Sequence, residues 1–148
     1  MEAQKDFKEL LELLNKHEVE YAIVGAYALA FYGCPRYTGD IDILVAPKVN
    51  NAKKIMKAIN EFGLILKNLK VEDFLASGQV IQLGLSPVRI DIFTSLTGVS
   101  WQQVYSNKIK GKYADVPVYF IGKKELIANK KALGRHKDLA DLEAITRK

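Results

Sequence analysis

Two aspartates, Asp40 and Asp42, stand two residues apart in the run GDIDILV. Side chains alternate across an extended chain, so the two acids share one face while Ile41, Ile43 and Val45 share the other. Alternate residues of a strand lie about 6.6 Å apart. At ~6 Å and an effective dielectric near 20, two carboxylates repel by roughly 3 kcal/mol. A cation between them offsets that cost, and hard oxygen ligands at this spacing suit Mg2+ or Mn2+. A bare Asp-x-Asp is better explained by an edge strand whose acids face water. Asp91, in VRIDIF, alters the balance, because Ile90 and Ile92 leave it on the polar face of a second strand. Three strand-borne carboxylates could cradle two metal ions for in-line phosphoryl or nucleotidyl transfer.

Two further positions could serve an anionic substrate. In YAIVGA, Gly25 falls where a strand becomes a helix. A backbone N–H there can approach a phosphate, although an ordinary strand–helix turn would use the same residue. On a helix over 123–133, steps of 100° put Lys130 inside the apolar stripe of Leu126, Ile127 and Leu133. A lysine so placed must snorkel, pair with an acid or reach into a cleft. Asp138 reads as the N-cap of the last helix, with Asp141 three residues on. His17 and His136 lack zinc-ligand spacing, and Cys34 has no evident base. Trp101, Tyr105 and Tyr113 lie near Lys108, Lys110 and Lys112, which leaves room for a weak nucleic-acid patch beside the default of packing.

The elements that must hold these residues follow from periodicity. Phe7, Leu10, Leu11 and Leu14 predict a helix over 3–16. Strands are expected at 21–24 and 40–46, with a short helix at 26–32 stopped by Gly33. A helix over 50–62 ends at Gly63, with Ala52, Ile55, Ile59 and Phe62 inward. Residues 64–78 are ambiguous: LILKNL could be a strand and VEDFLASG a helical turn. Residues 79–85 and 88–94 predict a hairpin around Ser86-Pro87. A helix at 100–106, a strand at 118–121 and helices at 123–133 and 136–146 complete the chain. The expected class is α/β (α+β): a mixed sheet flanked by helices in one domain spanning residues 1–148. No GxGxxG is present, which excludes the doubly wound dinucleotide-binding pattern.

Composition agrees. At 148 residues, 49% hydrophobic and 26% charged, the chain has enough for one core. Twenty-two Lys and Arg against 17 Asp and Glu give a net charge of +5, which favours an acidic partner such as nucleotide, nucleic acid or a phosphorylated substrate. No apolar run is long enough to span a membrane and the N-terminus does not read as a signal peptide. A single cysteine suits a reducing cytoplasm.

Taken together, VGAYALAFYGCPRYTGDIDILV and the later Asp91 resemble the signature of the DNA polymerase beta-like nucleotidyltransferase superfamily. Arg36-Tyr37-Thr38, Lys130 and Arg135-His136-Lys137-Asp138 are similar to its branch of small stand-alone enzymes and abortive-infection toxin-like proteins. The resemblance covers residues 21–142. One departure is Ala26, where the family carries Gly or Ser; the backbone N–H remains and a hydroxyl is lost. The resemblance implies a metal-dependent enzyme that moves a nucleoside monophosphate from an NTP to an acceptor hydroxyl of RNA, protein or a small molecule. Asp40, Asp42 and Asp91 would be catalytic and hold Mg2+ or Mn2+. Gly25, Ala26, Arg36, Thr38 and Lys130 would hold the nucleotide. A partner chain or homodimer is expected to complete the cleft, with a toxin–antitoxin pair as one setting. The competing readings are a non-catalytic module that binds nucleotide, RNA or a partner protein, and a structural domain with solvated strand acids.

Overall fold

A computed structural model describes residues 4–36, 39–64, 66–84 and 88–147. Helix α1 (Lys5–Lys16) buries Phe7, Leu10, Leu11 and Leu14 completely, as its i, i+3, i+4, i+7 spacing requires. Each such side chain contributes roughly 1.5–3 kcal/mol of burial. Strand β1 (Tyr21–Val24) runs into α2 (Gly25–Phe31), and β2 (Asp40–Val45) returns beside β1. Helix α3 (Val49–Phe62) packs on α1 and ends at Gly63 in the left-handed conformation. Buried Asn51 joins these pieces: it accepts from the Glu20 N–H and donates to the Glu20 and Ala46 carbonyls.

Among the described residues of 64–70 no strand forms, and the helical turn expected in VEDFLASG is a short 3-10 helix, Val71–Phe74, whose fully buried Phe74 anchors it in the core. Strands β3 (Val80–Leu83) and β4 (Arg89–Phe93) form the expected antiparallel pair; its tip at Ser86-Pro87 lies outside the described residues. Helix α4 (Trp101–Asn107) starts at Ser100, whose Oγ accepts from the Gln103 N–H.

The sequence reading missed β5 (Ile109–Tyr113). It pairs antiparallel with β6 (Val116–Phe120), which starts two residues earlier than expected. Lys110 and Lys112 therefore belong to an edge strand, where charge discourages pairing with other chains. Tyr113 is a core residue in edge contact with Phe7 and Tyr27 rather than part of an exposed basic patch. Helices α5 (Lys123–Leu133) and α6 (His136–Thr146) pack together around the left-handed Gly134.

The six strands form one mixed sheet in the order β3-β4-β2-β1-β6-β5. Pairs β1–β2, β3–β4 and β5–β6 are antiparallel, while β2–β4 and β1–β6 are parallel. Among the described residues no helix is long and apolar enough to cross a membrane.

Candidate active site

The parallel register of β2 and β4 sets Asp42 beside Asp91 and Asp40 beside Arg89. Neighbouring strands are about 4.8 Å apart, and directly paired residues point to the same side. All four charged side chains therefore share one face. Ile41, Ile43, Ile90 and Ile92 are buried on the other, and their burial fixes which way the acids point.

Arg89 is the main addition to the sequence reading. Its Nη2 donates to Asp40 Oδ2 at 2.8 Å and Asp91 Oδ2 at 3.1 Å, and its Nε to Asp91 Oδ1 at 3.0 Å. Asp91 takes the Nε–Nη2 edge of the guanidinium with both oxygens, while Asp40 shares Nη2. These bonds raise the Arg89 pKa further, the Asp91 hydrogen bond most. The signal was in the sequence: Arg89 precedes Asp91 by two, so period-2 alternation alone puts it on the acid face.

Asp42 is held differently. Burial pushes its carboxyl up to about 6, the Asp91 and Asp40 charges add to the shift, and Lys130 and Lys137 partly oppose it. The carboxylate lies over the β1–α2 turn. Gly25 adopts φ +68°, and a Cβ there would overlap Asp42 Oδ2 and come within 3.1 Å of its Cγ. Glycine is needed at this turn both for its backbone and for the room it leaves the acid.

The acids open on a cleft of about 450 Å³, walled also by Gly25, Arg89, Asn129, Lys130, Arg135 and Lys137. A hollow of similar size, about 460 Å³, lies between the end of α1, α4 and β6 and shares no lining residue with it. Its acids are Glu18 and Glu20, whereas the cleft gathers three aspartates on one sheet face.

Of the remaining expected site residues that are described, only Lys130 lines the cleft. Ala26 is buried and Arg36 lies outside it, with Nη2 3.4 Å from Asp141 Oδ2. Thr38 lies outside the described residues. Lys130 is 4% exposed, and of the three fates open to it the structure shows pairing. Its Nζ is 3.3 Å from Asp138 Oδ1 and 3.0 Å from Asp141 Oδ2. Asp141 Oδ2 is buried without an aligned hydrogen bond, so its contacts with Lys130 and Arg36 are ionic only.

Asp138 is not the N-cap of α6. Arg135 holds that place, and Asp138, three positions on, accepts from its backbone N–H at 3.2 Å and from its Nε and Nη2 at 2.6 and 3.2 Å. Burial alone would raise the Asp138 carboxyl. The Arg135 bonds and the Lys130 charge overcome it and hold the group down to about 2. The network ties α5 to α6 and fixes the cleft's basic wall.

The donor set, three carboxylates on one face, has the hard-oxygen chemistry that Mg2+ or Mn2+ requires. Burial and the Asp91 and Asp40 charges raise Asp42, a cost that a bound cation would offset. Among the described residues, however, no three His, Cys, Asp or Glu groups stand together as a ready metal site. The positive charge shared by Asp40 and Asp91 is the Arg89 guanidinium. The donor chemistry fits a divalent ion, while Arg89 already bonds two of the three carboxylates.

No protein-family model matches the chain, and no characterised protein matches it by sequence. Solved structures do. A proposed nucleotidyltransferase of Thermotoga maritima superposes with a TM-score of 0.64 at 16% identity, over 95% of this chain and 90% of that one. The lincosamide antibiotic adenylyltransferase LnuA, solved with lincomycin bound, matches at TM-score 0.60 and 14% identity, over 97% and 96%. The antibiotic-resistance factor ANT(2'')-Ia matches at TM-score 0.64 and 11% identity, over 96% and 81%. At such identities the likeness is one of architecture: the chain has the nucleotidyltransferase fold.

Proposed function

We propose that this chain is a metal-dependent nucleotidyltransferase. The observation that carries the reading is the face shared by Asp40, Asp42 and Asp91, opening on a basic-walled cleft in a nucleotidyltransferase fold. Asp40 and Asp42 would hold Mg2+ or Mn2+, with Asp91 as a further ligand. The ion supplies charge compensation for the triphosphate and for the pyrophosphate that leaves. Lys130, at the cleft wall, would meet the nucleotide with a charge it shares with Asp138 and Asp141, and Gly25 lines the same cleft beside Asp42. The acceptor oxygen attacks the α-phosphorus, the bond to pyrophosphate breaks, and Asp91 takes the hydroxyl proton. The protein's work is positioning and electrostatics rather than covalent chemistry.

Two of the structural neighbours act on antibiotics or confer resistance to them, which favours a small hydroxylated acceptor over a macromolecule. The resemblance to abortive-infection toxin-like proteins adds a setting, a toxin paired with a neutralising partner chain. Host growth on expressing the chain, with and without Asp42→Asn, tests that setting.

The activity is tested by transfer of label from each of the four α-labelled triphosphates, with Mg2+ or Mn2+, into whole-cell RNA, protein and small-molecule fractions. Label in one fraction with wild type and none with Asp42→Asn supports the enzyme and names its acceptor class. No label in any fraction, with nucleotide binding intact, supports the second reading, a nucleotide-binding module. The observation behind that alternative is Arg89, already bonded to Asp40 and Asp91.

A further inference from the structure

We propose that Arg89 is a displaceable counter-ion that takes the place of the divalent cation, so that its departure from Asp40 and Asp91 accompanies metal binding and sets the affinity. The inference rests on the metal-site reading above and adds a residue to it.

Three observations carry it. First, the position is fixed by register. Arg89 pairs with Asp40 across the β2–β4 ladder and precedes Asp91 by two on its own strand, so its head stands between the acids. Second, it uses the oxygens a cation would need. Three of its hydrogen bonds go to Asp40 Oδ2, Asp91 Oδ1 and Asp91 Oδ2. A cation held through these same oxygens would sit against the guanidinium, so the two compete for them by like charge and shared lone pairs. Third, the side chain can leave while its backbone stays. The Arg89 N–H is bonded to the Gly39 carbonyl at 3.4 Å and its neighbours are in the ladder. The side chain is 30% exposed and already lines the cleft, so the head swings outward without crossing packed core.

The arrangement explains how three carboxylates on one face are tolerated without an ion. Arg89 neutralises Asp40 and Asp91 until metal arrives. A structural salt bridge would give the same geometry, yet it makes the opposite forecast for metal binding. If Arg89 only braced the two strands, its loss would loosen the acids and weaken any ion they bind. If it competes with the ion, its loss must strengthen binding.

The test is Mn2+ titration followed by electron paramagnetic resonance on wild type, Arg89→Gln, Arg89→Lys and Asp42→Asn. Arg89→Gln should bind Mn2+ about tenfold or more tightly than wild type, in the usual range for coupled sites. Arg89→Lys, which cannot engage both carboxylates in the same fork, should fall between. Equal or weaker binding by Arg89→Gln, with wild-type binding intact and abolished by Asp42→Asn, overturns the proposal and leaves the metal site standing. No binding by wild type or Arg89→Gln overturns both. Should Arg89→Gln fail to fold in metal-free buffer, its melting temperature with and without Mg2+ replaces the titration. A larger Mg2+-dependent rise than in wild type supports competition, and an equal or smaller rise refutes it.

Discussion

Replacing Asp42 with asparagine should make the metal-free protein more stable, by an amount that depends on pH in a defined way. The Asp42 carboxyl is raised from 3.8 to about 6 by burial and by the Asp91 and Asp40 charges. A carboxyl with a higher pKa folded than unfolded binds its proton more tightly in the folded state. Its contribution to stability is therefore most favourable below about pH 4, declines as pH rises through about 6, and is fully adverse above that. About two units at 1.36 kcal/mol each give a ceiling of about 3 kcal/mol, since residual solvent contact lessens it. Asparagine carries no charge at any pH and keeps the shape. Asp42→Asn should thus lead wild type by up to about 3 kcal/mol at pH 8 and by almost nothing near pH 4. For a chain of this size, 1 kcal/mol moves the melting temperature by about 2–4 °C, so the lead at pH 8 is roughly 6–12 °C. Differential scanning calorimetry in chelator-treated buffer at pH 4.5, 6 and 8 reads it directly. A mutant that melts at or below wild type at pH 8 would refute the reasoning. So would a gap that stays constant across the three buffers.

Other consequences are as direct. Lys130→Met should destabilise the fold by about 3–5 kcal/mol, because it leaves Asp138 and Asp141 buried beside one another without their shared cation. Urea unfolding reads the change, and exposed Lys131→Met, unchanged, is its control. Gly25→Ala should cost at least about 1–2 kcal/mol for the left-handed backbone alone, with more from the overlap with Asp42. Pairing it with Asp42→Gly in chemical denaturation should recover the overlap and not the backbone part. Asp138, held down to about 2, stabilises the fold above pH 4, and that contribution fades as pH falls through 2. Asp138→Asn should accordingly lower the midpoint at pH 7 and lose much of its effect in melts near pH 2.

How much of this was legible beforehand varied with the length scale of the cause. Asp40, Asp42 and Asp91 could be assigned to one face because isoleucines alternate with them on both strands, and alternation is a property of neighbours in sequence. Arg89 obeys the same rule, two residues before Asp91 on its strand. Strand β5 was obscured for a physical reason: IKGKY sits at the sheet edge, where lysines face water and a glycine lies against the Phe31 and Phe120 rings. It lacks the apolar alternation of an interior strand. The partners of Lys130 could not be read at all. Which acids it meets depends on how α6 folds back after Gly134, a tertiary angle that no local pattern encodes. Asp138 is not a cap because the helix begins at His136, as expected, so the N-cap falls to Arg135 and Asp138 lies one turn inside.

The sheet order has a consequence for how the protein is made. Its three antiparallel pairs each join strands close in sequence, whereas both parallel joins are long-range: Arg89 meets Asp40 across 49 residues, and Ile23 meets Phe120 from near the two ends of the chain. Closing long loops is entropically unfavourable and slow, so the local pairs should form first and dock afterwards. The acid face exists only once β4 has docked on β2, the step at which like charges are also driven together. Mixing refolding chain with Mg2+ should therefore hasten that late phase in stopped-flow traces and leave the early one alone. Chelator should have no effect on either.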